Sequence, residues 1–346
     1  MTGKKRIIMK RYFHLLLLFL MAVACNKTDL AVSEERPSDI RAIGDFIRNN
    51  YDLSLLSAAL QQTGLIDSLN TNGTLTVWAP DNAAFKALGV LKPGDFSKMN
   101  QDSLRASLRN LIQTERLFIP DIPTQMDNKY IAMGGGPLYI SISAFGNNAD
   151  NYRATVNGCY VYEAPKRNLS LRNGVLHLLK GVPKYFPQTA QDFLAADTSL
   201  SIFVTLMKKS GQWEALKNEG PYTVYAPQNN VFQQYGLTAD SINRLDVKKY
   251  KPVAFSVYTL GLQPHHIFAG DLDILGAYNS RILLDGYGIS PGGSINIWAP
   301  NGYSGYHSPG FIGYAGGVKG QDNLTSNAVV FRLNNIMLYP DSLLIK

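Results

Sequence analysis

Apolar residues recur at helical spacing near the start of this chain, and an apolar strand-like run follows them. The helical positions are Leu53, Leu56, Ala59 and Leu60. Spacing of i, i+3 and i+7 predicts a helix with one buried face. The β-branched and aromatic residues at 76–79 predict a strand, which should end at Pro80 because proline has no N–H to donate.

A second helix is predicted directly after this strand. Asp81 can accept hydrogen bonds from the free N–H groups of a helix that begins at Asn82, with Phe85 as its first apolar contact. The same order of elements returns later, where Gln228 stands at the position of the cap. Because glutamine is a poorer cap than aspartate, we expect Asn229 to cap this later helix.

The two stretches are copies of each other. Pro80 and Pro227 are 147 residues apart, and the same offset needs no gap over this region. It also pairs Leu53 with Leu200, Gly64 with Gly211, Leu69 with Leu216, Gly73 with Gly220 and Gly89 with Gly236. Solenoid repeats are roughly 20–50 residues long, whereas whole domains are about 100–150. The chain is therefore predicted to hold two tandem copies of one domain.

The repeated block resembles a known signature. Strand-Ala-Pro-x-Asn-x-x-Phe is similar to the first signature of fasciclin (FAS1) domains, and residues 173–177, Asn-Gly-Val-Leu-His, resemble the second. The second copy keeps the asparagine at Asn327 but lacks the glycine and the histidine. The signature residues are Pro80, Asn82, Phe85, Asn173, Gly174, His177, Pro227, Asn229 and Phe232.

The resemblance implies an α+β fold with two FAS1-type domains, each a β-wedge or sandwich of mixed strands with packed helices. We expect the first domain at 41–186 and a divergent second domain at 190–346, with a short linker at 183–187. A helix is expected at 102–111 and a strand at 155–162. FAS1 domains are extracellular modules that are widely associated with adhesion.

The N-terminal 24 residues are predicted to be an export signal. Five basic residues precede an apolar run at 15–21, which is too short to span a membrane. Residues 22–25, Ala-Val-Ala-Cys, resemble a bacterial lipobox, which implies a lipid on Cys25 and a tether over residues 25–40. An ordinary cleaved signal with an incidental cysteine is the alternative, and Met9 is a second possible start.

Net charge and cysteine content limit which partners and which reactive groups the chain is expected to have. The net charge is +7, but five positive charges and no acid lie in residues 1–24, which leaves +2. A nucleic-acid partner is therefore not expected. Cys159 is then the one other cysteine, and its strand-like setting indicates a buried, inert thiol.

Candidate catalytic groups are sparse. His177 is expected to be structural, and the neighbours His265 and His266 would point in different directions. Carboxylate pairs such as Asp271 and Asp273 are too common to indicate a glycosidase. We predict no enzyme, metal or cofactor.

An aromatic and glycine-rich segment runs from Tyr278 to Gly317, and its part from Asn301 to Gly317 predicts a long loop. Tyrosine and tryptophan side chains there can stack on sugars or on a protein partner, or fold back as a cap over the domain. The candidate contact residues are Trp298, Tyr303, Tyr306, Phe311 and Tyr314.

In animal FAS1 domains, adhesion is linked to a Tyr-His segment and an Asp-Ile pair. This chain has Arg109-Asn110 and Tyr258-Thr259 at the first motif, and Asn168-Leu169 and Asn323-Leu324 at the second. Two functions stay open. One is an adhesion or matrix-binding lipoprotein with an extracellular protein or polysaccharide partner, and the other is a glycan-binding accessory lipoprotein of a nutrient-uptake system. Both place the chain in the cell envelope, with the outer membrane favoured.

Overall fold

Each copy begins with a pair of helices followed by a strand and a third helix. The apolar pattern predicts the second helix of the pair, the strand and the third helix, and the first helix is an addition. The computed structural model describes residues 40–144, 152–218, 220–263, 266–271, 282–284, 287–290, 296–298, 322–339 and 343–345. The helices are α1 (Ile43–Arg48), α2 (Ser54–Gln62), α3 (Asn82–Ala87), α4 (Gln101–Arg109), α5 (Ala190–Ala196), α6 (Ser201–Lys209), α7 (Asn229–Gln234), α8 (Ala239–Arg244) and α9 (Val253–Ser256).

The strands belong to four sheets, of which two are mixed and two are antiparallel. They are β1 (Leu75–Pro80), β2 (Ile112–Gln113), β3 (Asn128–Ile131), β4 (Pro137–Ala144), β5 (Tyr152–Val156), β6 (Cys159–Tyr160), β7 (Leu169–Leu171), β8 (Gly174–Leu179), β9 (Tyr222–Pro227), β10 (Ile282–Leu284), β11 (Tyr287–Ser290), β12 (Asn296–Trp298), β13 (Asn323–Leu324) and β14 (Ala328–Leu333). Helices and mixed sheets together give the expected α+β class.

A parallel strand pair lies at the centre of each copy. In the first copy the sheet order is β2-β1-β8-β7, and in the second it is β13-β14-β9. The pairs β1–β8 and β9–β14 are both parallel, and Trp78 lies opposite His177 as Tyr225 lies opposite Phe331. Each pair joins the first signature to the second, so residues about one hundred positions apart in sequence become neighbours.

The first copy has two hydrophobic cores on opposite sides of this pair. One packs the helices against residues such as Val77 and Leu176, and the other includes Trp78 and Leu179 together with the sheet β3-β4-β5-β6. Alternate strand residues face opposite sides, so a strand buried on both faces is apolar throughout. Residues 42–346 form one compact unit, in which both copies lie.

The predicted helix start at Asp81 is confirmed. The backbone N–H of Ala84 donates to Asp81 Oδ1 at 2.8 Å, α3 begins at Asn82, and Phe85 is buried. The expected cap in the second copy is wrong. Asn229 is the first residue of α7, Gln228 precedes it without a side-chain cap, and the Asn229 side chain is bonded elsewhere.

The strand expected at 155–162 is also wrong, because the chain turns within it. Asn157 and Gly158 have φ values of 45° and 79°, and they connect β5 to β6 as an antiparallel hairpin. Asn-Gly is the dipeptide most suited to a two-residue turn with positive φ at both positions. The linker at 183–187 is not free of contacts, since the Phe186 N–H donates to the carbonyl of Leu324 at 2.8 Å.

Candidate functional site

The first-signature asparagines hold neighbouring helices in place. Asn82 Oδ1 accepts the N–H of Leu55 at 2.9 Å, at the start of α2. Asn229 Oδ1 accepts the N–H of Ile202 at 2.9 Å, at the start of α6. Free N–H groups at a helix start need acceptors, so each asparagine satisfies the preceding helix and not its own. This role explains why both copies have asparagine here.

The second-signature asparagines are used in the same way in both copies. Asn173 Oδ1 accepts the N–H of Ile43 at 3.0 Å, and its amide donates to two carbonyls between α2 and β1. Asn327 accepts the N–H of Ala190 at 2.8 Å and donates to the carbonyls of Leu216 and Asn218. These buried amides therefore fasten the first helix of each copy to its central strand pair.

The glycine of the signature is required by a close backbone approach. A Cβ at Gly174 would lie 2.0 Å from the carbonyl oxygen of Leu75, a distance that no side chain tolerates. In the second copy Ala328 takes this place, and the tight contact moves to Gly220, where a Cβ would lie 1.9 Å from the oxygen of Asn327. The second copy therefore loses one glycine without losing the close packing.

His177 is a buried structural side chain. Its ring stacks on Trp78 with 4.6 Å between centroids, Nδ1 accepts the Asn168 N–H at 3.2 Å, and Nε2 lies 2.9 Å from the carbonyl of Leu117. Burial lowers the pKa of His177 to about 4, so the ring is neutral at pH 7. In the second copy Phe331 takes this place and stacks on Tyr225.

Several predicted site residues lie outside the described residues. These are Cys25, Tyr303, Tyr306, Phe311, Tyr314 and the side chain of Trp298, whose backbone is in β12. Whether the aromatic segment is a binding site or a cap therefore stays a prediction. The same is true of the export signal and the tether.

The positions that correspond to the animal adhesion motifs are used for internal contacts. Asn168 Oδ1 accepts the N–H of Ile119, Asn110 Oδ1 accepts the N–H of Gly136, and Thr259 donates to Gln212. Tyr258 Oη accepts the N–H of Met337 at 3.3 Å, and its side chain also lines a cavity in the second copy. Neither the repeat nor the signature motifs single out this cavity.

The cavity has a volume of about 260 Å³ and is mostly apolar. It is bounded by α6, α7, α8, α9 and the segment after β14. Its lining residues are Leu206, Phe232, Tyr235, Leu237, Ile242, Leu245, Tyr250, Ala254, Phe255, Tyr258, Ile336, Leu338, Tyr339 and Leu343. Tyr235 and Tyr339 are 37% and 39% exposed, and their rings meet edge to face, so both can be reached by a ligand. We call this cavity the tyrosine pocket.

A difference between the copies accounts for the space. In the first copy the short helical turn Pro93–Lys98 packs on α2, and its buried side chain, Phe96, meets Phe85 edge to face at 5.6 Å. In the second copy α8 packs on α6 in the same way, but its buried side chain is Ile242. Isoleucine is smaller than phenylalanine and lacks the flat ring, which leaves room at this point for the tyrosine pocket.

Exposed basic residues are the sequence neighbours of one lining residue. Lys248, Lys249 and Lys251 adjoin Tyr250, and Asp246, which is also exposed, precedes them. The C-terminal residues run beside this segment, since Lys251 N–H donates to the carbonyl of Leu343 at 2.9 Å. We call the three lysines the basic edge of the pocket.

A polar junction lies where the two copies meet. Asp271 is fully buried, accepts the Thr155 hydroxyl at 2.9 Å and the Phe268 N–H at 3.1 Å, and so joins β5 to the second copy. Burial, with smaller contributions from the nearby carboxylates of Asp127 and Asp322, raises the pKa of Asp271 to about 7. Asp271 is therefore a structural group, while Asp273 lies outside the described residues.

The predicted inert thiol lies beside this junction. Cys159 is 1% exposed, and its burial raises the thiol pKa well above its usual range. Within the ranges described above, no three His, Cys, Asp or Glu side chains are grouped to hold a metal. In the same part of the chain, no helix combines the length and apolar character that a bilayer crossing needs.

The fold and these contacts define a tandem pair of α+β modules tied together by buried polar groups. The fasciclin domain family model matches residues 51–182 and 198–254, so this chain belongs to the fasciclin domain family. Those ranges include β1, β8 and β9 and both asparagines of the first signature, whereas β14 lies outside them.

Relatives of this chain are larger proteins. Human periostin is 28% identical over 204 residues, and the match covers 58% of this chain and 22% of periostin. Pig transforming growth factor-beta-induced protein ig-h3 is 33% identical over 164 residues, or 46% of this chain and 22% of that protein. The chain thus spans about a fifth of the length of these relatives.

One further relative and one solved structure are also similar to this chain. Human stabilin-1 is 24% identical over 183 residues, which is 50% of this chain and 7% of stabilin-1. A FAS1 domain pair from the insect cell adhesion molecule fasciclin I has 15% identity and a TM-score of 0.36, covering 85% of this chain and 99% of that one.

Proposed function

We propose that this chain is a non-catalytic, exported adhesion protein that binds an extracellular protein partner through the tyrosine pocket of its second domain. The observation that carries the proposal is the open apolar recess beside an exposed basic edge. Membership of a family typical of adhesion and extracellular-matrix proteins supports the same interpretation. The domains are proposed to span 41–186 and 190–346.

The pocket suits one apolar side chain with acidic neighbours. A volume of about 260 Å³ is below the range for small-ligand pockets, roughly 300–1,000 Å³. Burying one large apolar side chain contributes about 1.5–3 kcal/mol. That is too little for stable binding alone, so the basic edge formed by Lys248, Lys249 and Lys251 should add contacts with acidic residues of the partner.

The substitution Ile242→Phe tests this proposal. It places at α8 the ring that Phe96 provides in the first copy, and it should fill the pocket without exposing a polar group. The purified chain would be tested by surface plasmon resonance against immobilised matrix proteins. We expect the tightest wild-type partner to bind at least about tenfold more weakly to Ile242→Phe, because loss of one buried anchor is worth more than about 1 kcal/mol.

The matched control is Phe96→Ile, which changes the equivalent site of the first copy. This variant loses core packing but should keep partner affinity. Thermal denaturation would show whether each variant stays folded at the assay temperature. Unchanged binding by a folded Ile242→Phe protein would refute a role for the tyrosine pocket in adhesion.

Lipid attachment at Cys25 is part of the same proposal. The lipobox-like residues 22–25 and the short apolar run before them support it. Mass spectrometry of the mature chain should find an acylated N-terminal cysteine, and Cys25→Ala should move the protein from the membrane fraction to the soluble one. An unmodified cysteine in a soluble wild-type protein would instead indicate an ordinary cleaved signal. Cell-envelope location, with the outer membrane favoured, rests on this outcome.

A second candidate function is glycan binding by an accessory lipoprotein of a nutrient-uptake system. The aromatic residues Tyr303, Tyr306 and Tyr314 favour it, because flat rings stack on sugars. A glycan array with the purified chain separates the two functions. Saturable polysaccharide binding that is lost in the triple alanine variant, without loss of thermal stability, supports this candidate. Silence across the array favours protein adhesion.

A further inference from the structure

A second cavity opens between the two copies, away from the tyrosine pocket. It has a volume of about 500 Å³, within the usual range for small-ligand pockets. Its lining comes from both copies: Lys129 and Tyr139 from the first, and Thr189, Lys217, Asn218, Gly220, Pro221, His266, Ser326 and Asn327 from the second. We call it the junction cavity.

The described residues that line the junction cavity include two lysines, while Asp127 lies 3.5 Å from the lining residue His266. Lys129 and Lys217 are exposed, and they contribute one positive charge from each copy. No aspartate or glutamate is among the described residues that line it. The remaining lining is rich in amide and hydroxyl groups, including Asn218, Ser326 and Thr189. Such a surface can pair with an anionic group and also hydrogen-bond to hydroxyls around it.

A buried histidine points to a ligand independently of the lysines. The His266 side chain is 3% exposed, and its ring packs on Tyr139 with 4.3 Å between centroids. Nδ1 lies 3.5 Å from Asp127 Oδ2, and neither Nδ1 nor Nε2 has a hydrogen-bond partner among the described residues. Buried polar atoms are nearly always hydrogen-bonded, so an unpartnered ring nitrogen beside a polar cavity indicates a missing group.

The position of Asp127 defines which hydrogen bond His266 can offer. A carboxylate near Nδ1 favours the tautomer that carries its proton there, which leaves Nε2 as an acceptor. An acceptor buried in a cavity with two lysines matches a ligand that has both a hydroxyl and an acid group. A simple inorganic anion would not use it, because sulfate at neutral pH has no proton to donate.

We propose that the junction cavity binds an acidic saccharide, with the acid group between Lys129 and Lys217 and a ring hydroxyl donating to Nε2 of His266. This site is separate from the tyrosine pocket and does not depend on adhesion through it. It requires both copies, since the two lysines come from different ones. Its ligand would therefore bridge the domains and stabilise their junction.

Isothermal titration calorimetry of the purified chain at low ionic strength tests the proposal. The probes are an oligogalacturonate, a neutral galacto-oligosaccharide of equal length, and inorganic sulfate. We expect the oligogalacturonate to bind at least about tenfold more tightly than either of the others, with an affinity that falls as salt is raised. No binding, equal binding of the neutral sugar, or sulfate binding as tightly would each overturn it.

Single substitutions then test whether the saccharide binds in the junction cavity. Lys129→Gln and Lys217→Gln change exposed side chains, so they should fold normally and each lower oligogalacturonate affinity about five- to tenfold. Lys86→Gln, on exposed α3 surface and outside both cavities, is the matched control and should bind as the wild type does. His266→Phe should weaken saccharide binding and leave sulfate affinity unchanged, provided that thermal denaturation shows it folded. Loss of affinity in Lys86→Gln equal to that in the other lysine variants would overturn the location.

Discussion

Asp271 should make the stability of the junction depend on pH, and Asp271→Asn is the change that isolates this effect. The carboxyl group is fully buried between the copies and accepts hydrogen bonds from Thr155 and from the backbone of Phe268. Its burial disfavours the charged form, and the neighbouring carboxylates of Asp127 and Asp322 act in the same direction. The folded protein therefore holds a proton at this site that the unfolded chain releases.

The sign and size of the pH effect on stability follow from the pKa of Asp271 in the folded protein and in the unfolded chain. The pKa of Asp271 is about 7 in the folded protein. In the unfolded chain it is about 3.9, and each pKa unit corresponds to about 1.4 kcal/mol. The penalty is absent below about pH 4, grows as pH rises, and approaches an upper limit of about 4 kcal/mol above pH 7. The asparagine variant cannot ionise, so its free energy of unfolding should lack this component.

Urea denaturation between pH 4 and pH 8.5, followed by tryptophan fluorescence, measures the effect. The comparison is between the slopes of unfolding free energy against pH, because the Asp271→Asn substitution also changes hydrogen bonds and so shifts the absolute value at every pH. The difference between variant and wild type should rise towards high pH. Asp240→Asn on exposed α8 is the control, and its profile should follow the wild type. Parallel profiles for wild type and Asp271→Asn would refute a protonated, buried carboxyl group.

Three further predictions test the contacts inside the copies. His177→Gln should reduce the loss of unfolding free energy at acid pH. The pKa of His177 in the folded protein, about 4, lies below its ordinary value, so the wild type loses stability as pH falls from about 6.5 towards 4. Urea titrations at pH 7 and pH 4.5 measure this difference. Asn173→Ala and Asn327→Ala should each cost at least about 2 kcal/mol in the same assay, since each leaves three backbone groups without their partner, two of them on buried residues. Losses below about 1 kcal/mol would contradict this role. In a Cys25→Ser background, Cys159 should react with an aromatic disulfide reagent at the rate of unfolding, and rapid reaction of the native protein would contradict its burial.

Local sequence patterns were sufficient to predict the helices and strands whose position depends on residues close in sequence. The helix that follows Pro80 starts where Asp81 can cap it, and α4 covers most of the helix expected at 102–111. The turn inside the strand expected at 155–162 also has a local sequence signal, since Asn157-Gly158 is a dipeptide typical of hairpins. The apolar residues on both sides of this dipeptide favour one continuous strand, which is why the apolar pattern alone predicts no turn.

The tandem α+β organisation was determined by the sequence alone, because the repeat and the signature spacing record it directly. Tertiary structure decided the rest. Asn229 caps α6 and not α7 because the two helices come together in space, which no local pattern describes. The tyrosine pocket is lined by Ile242 together with residues of four helices and of the segment after β14, and the junction cavity joins residues of the two copies that are 50 to 198 positions apart. Cavities depend on what packing leaves empty, so they become visible only when both copies are folded.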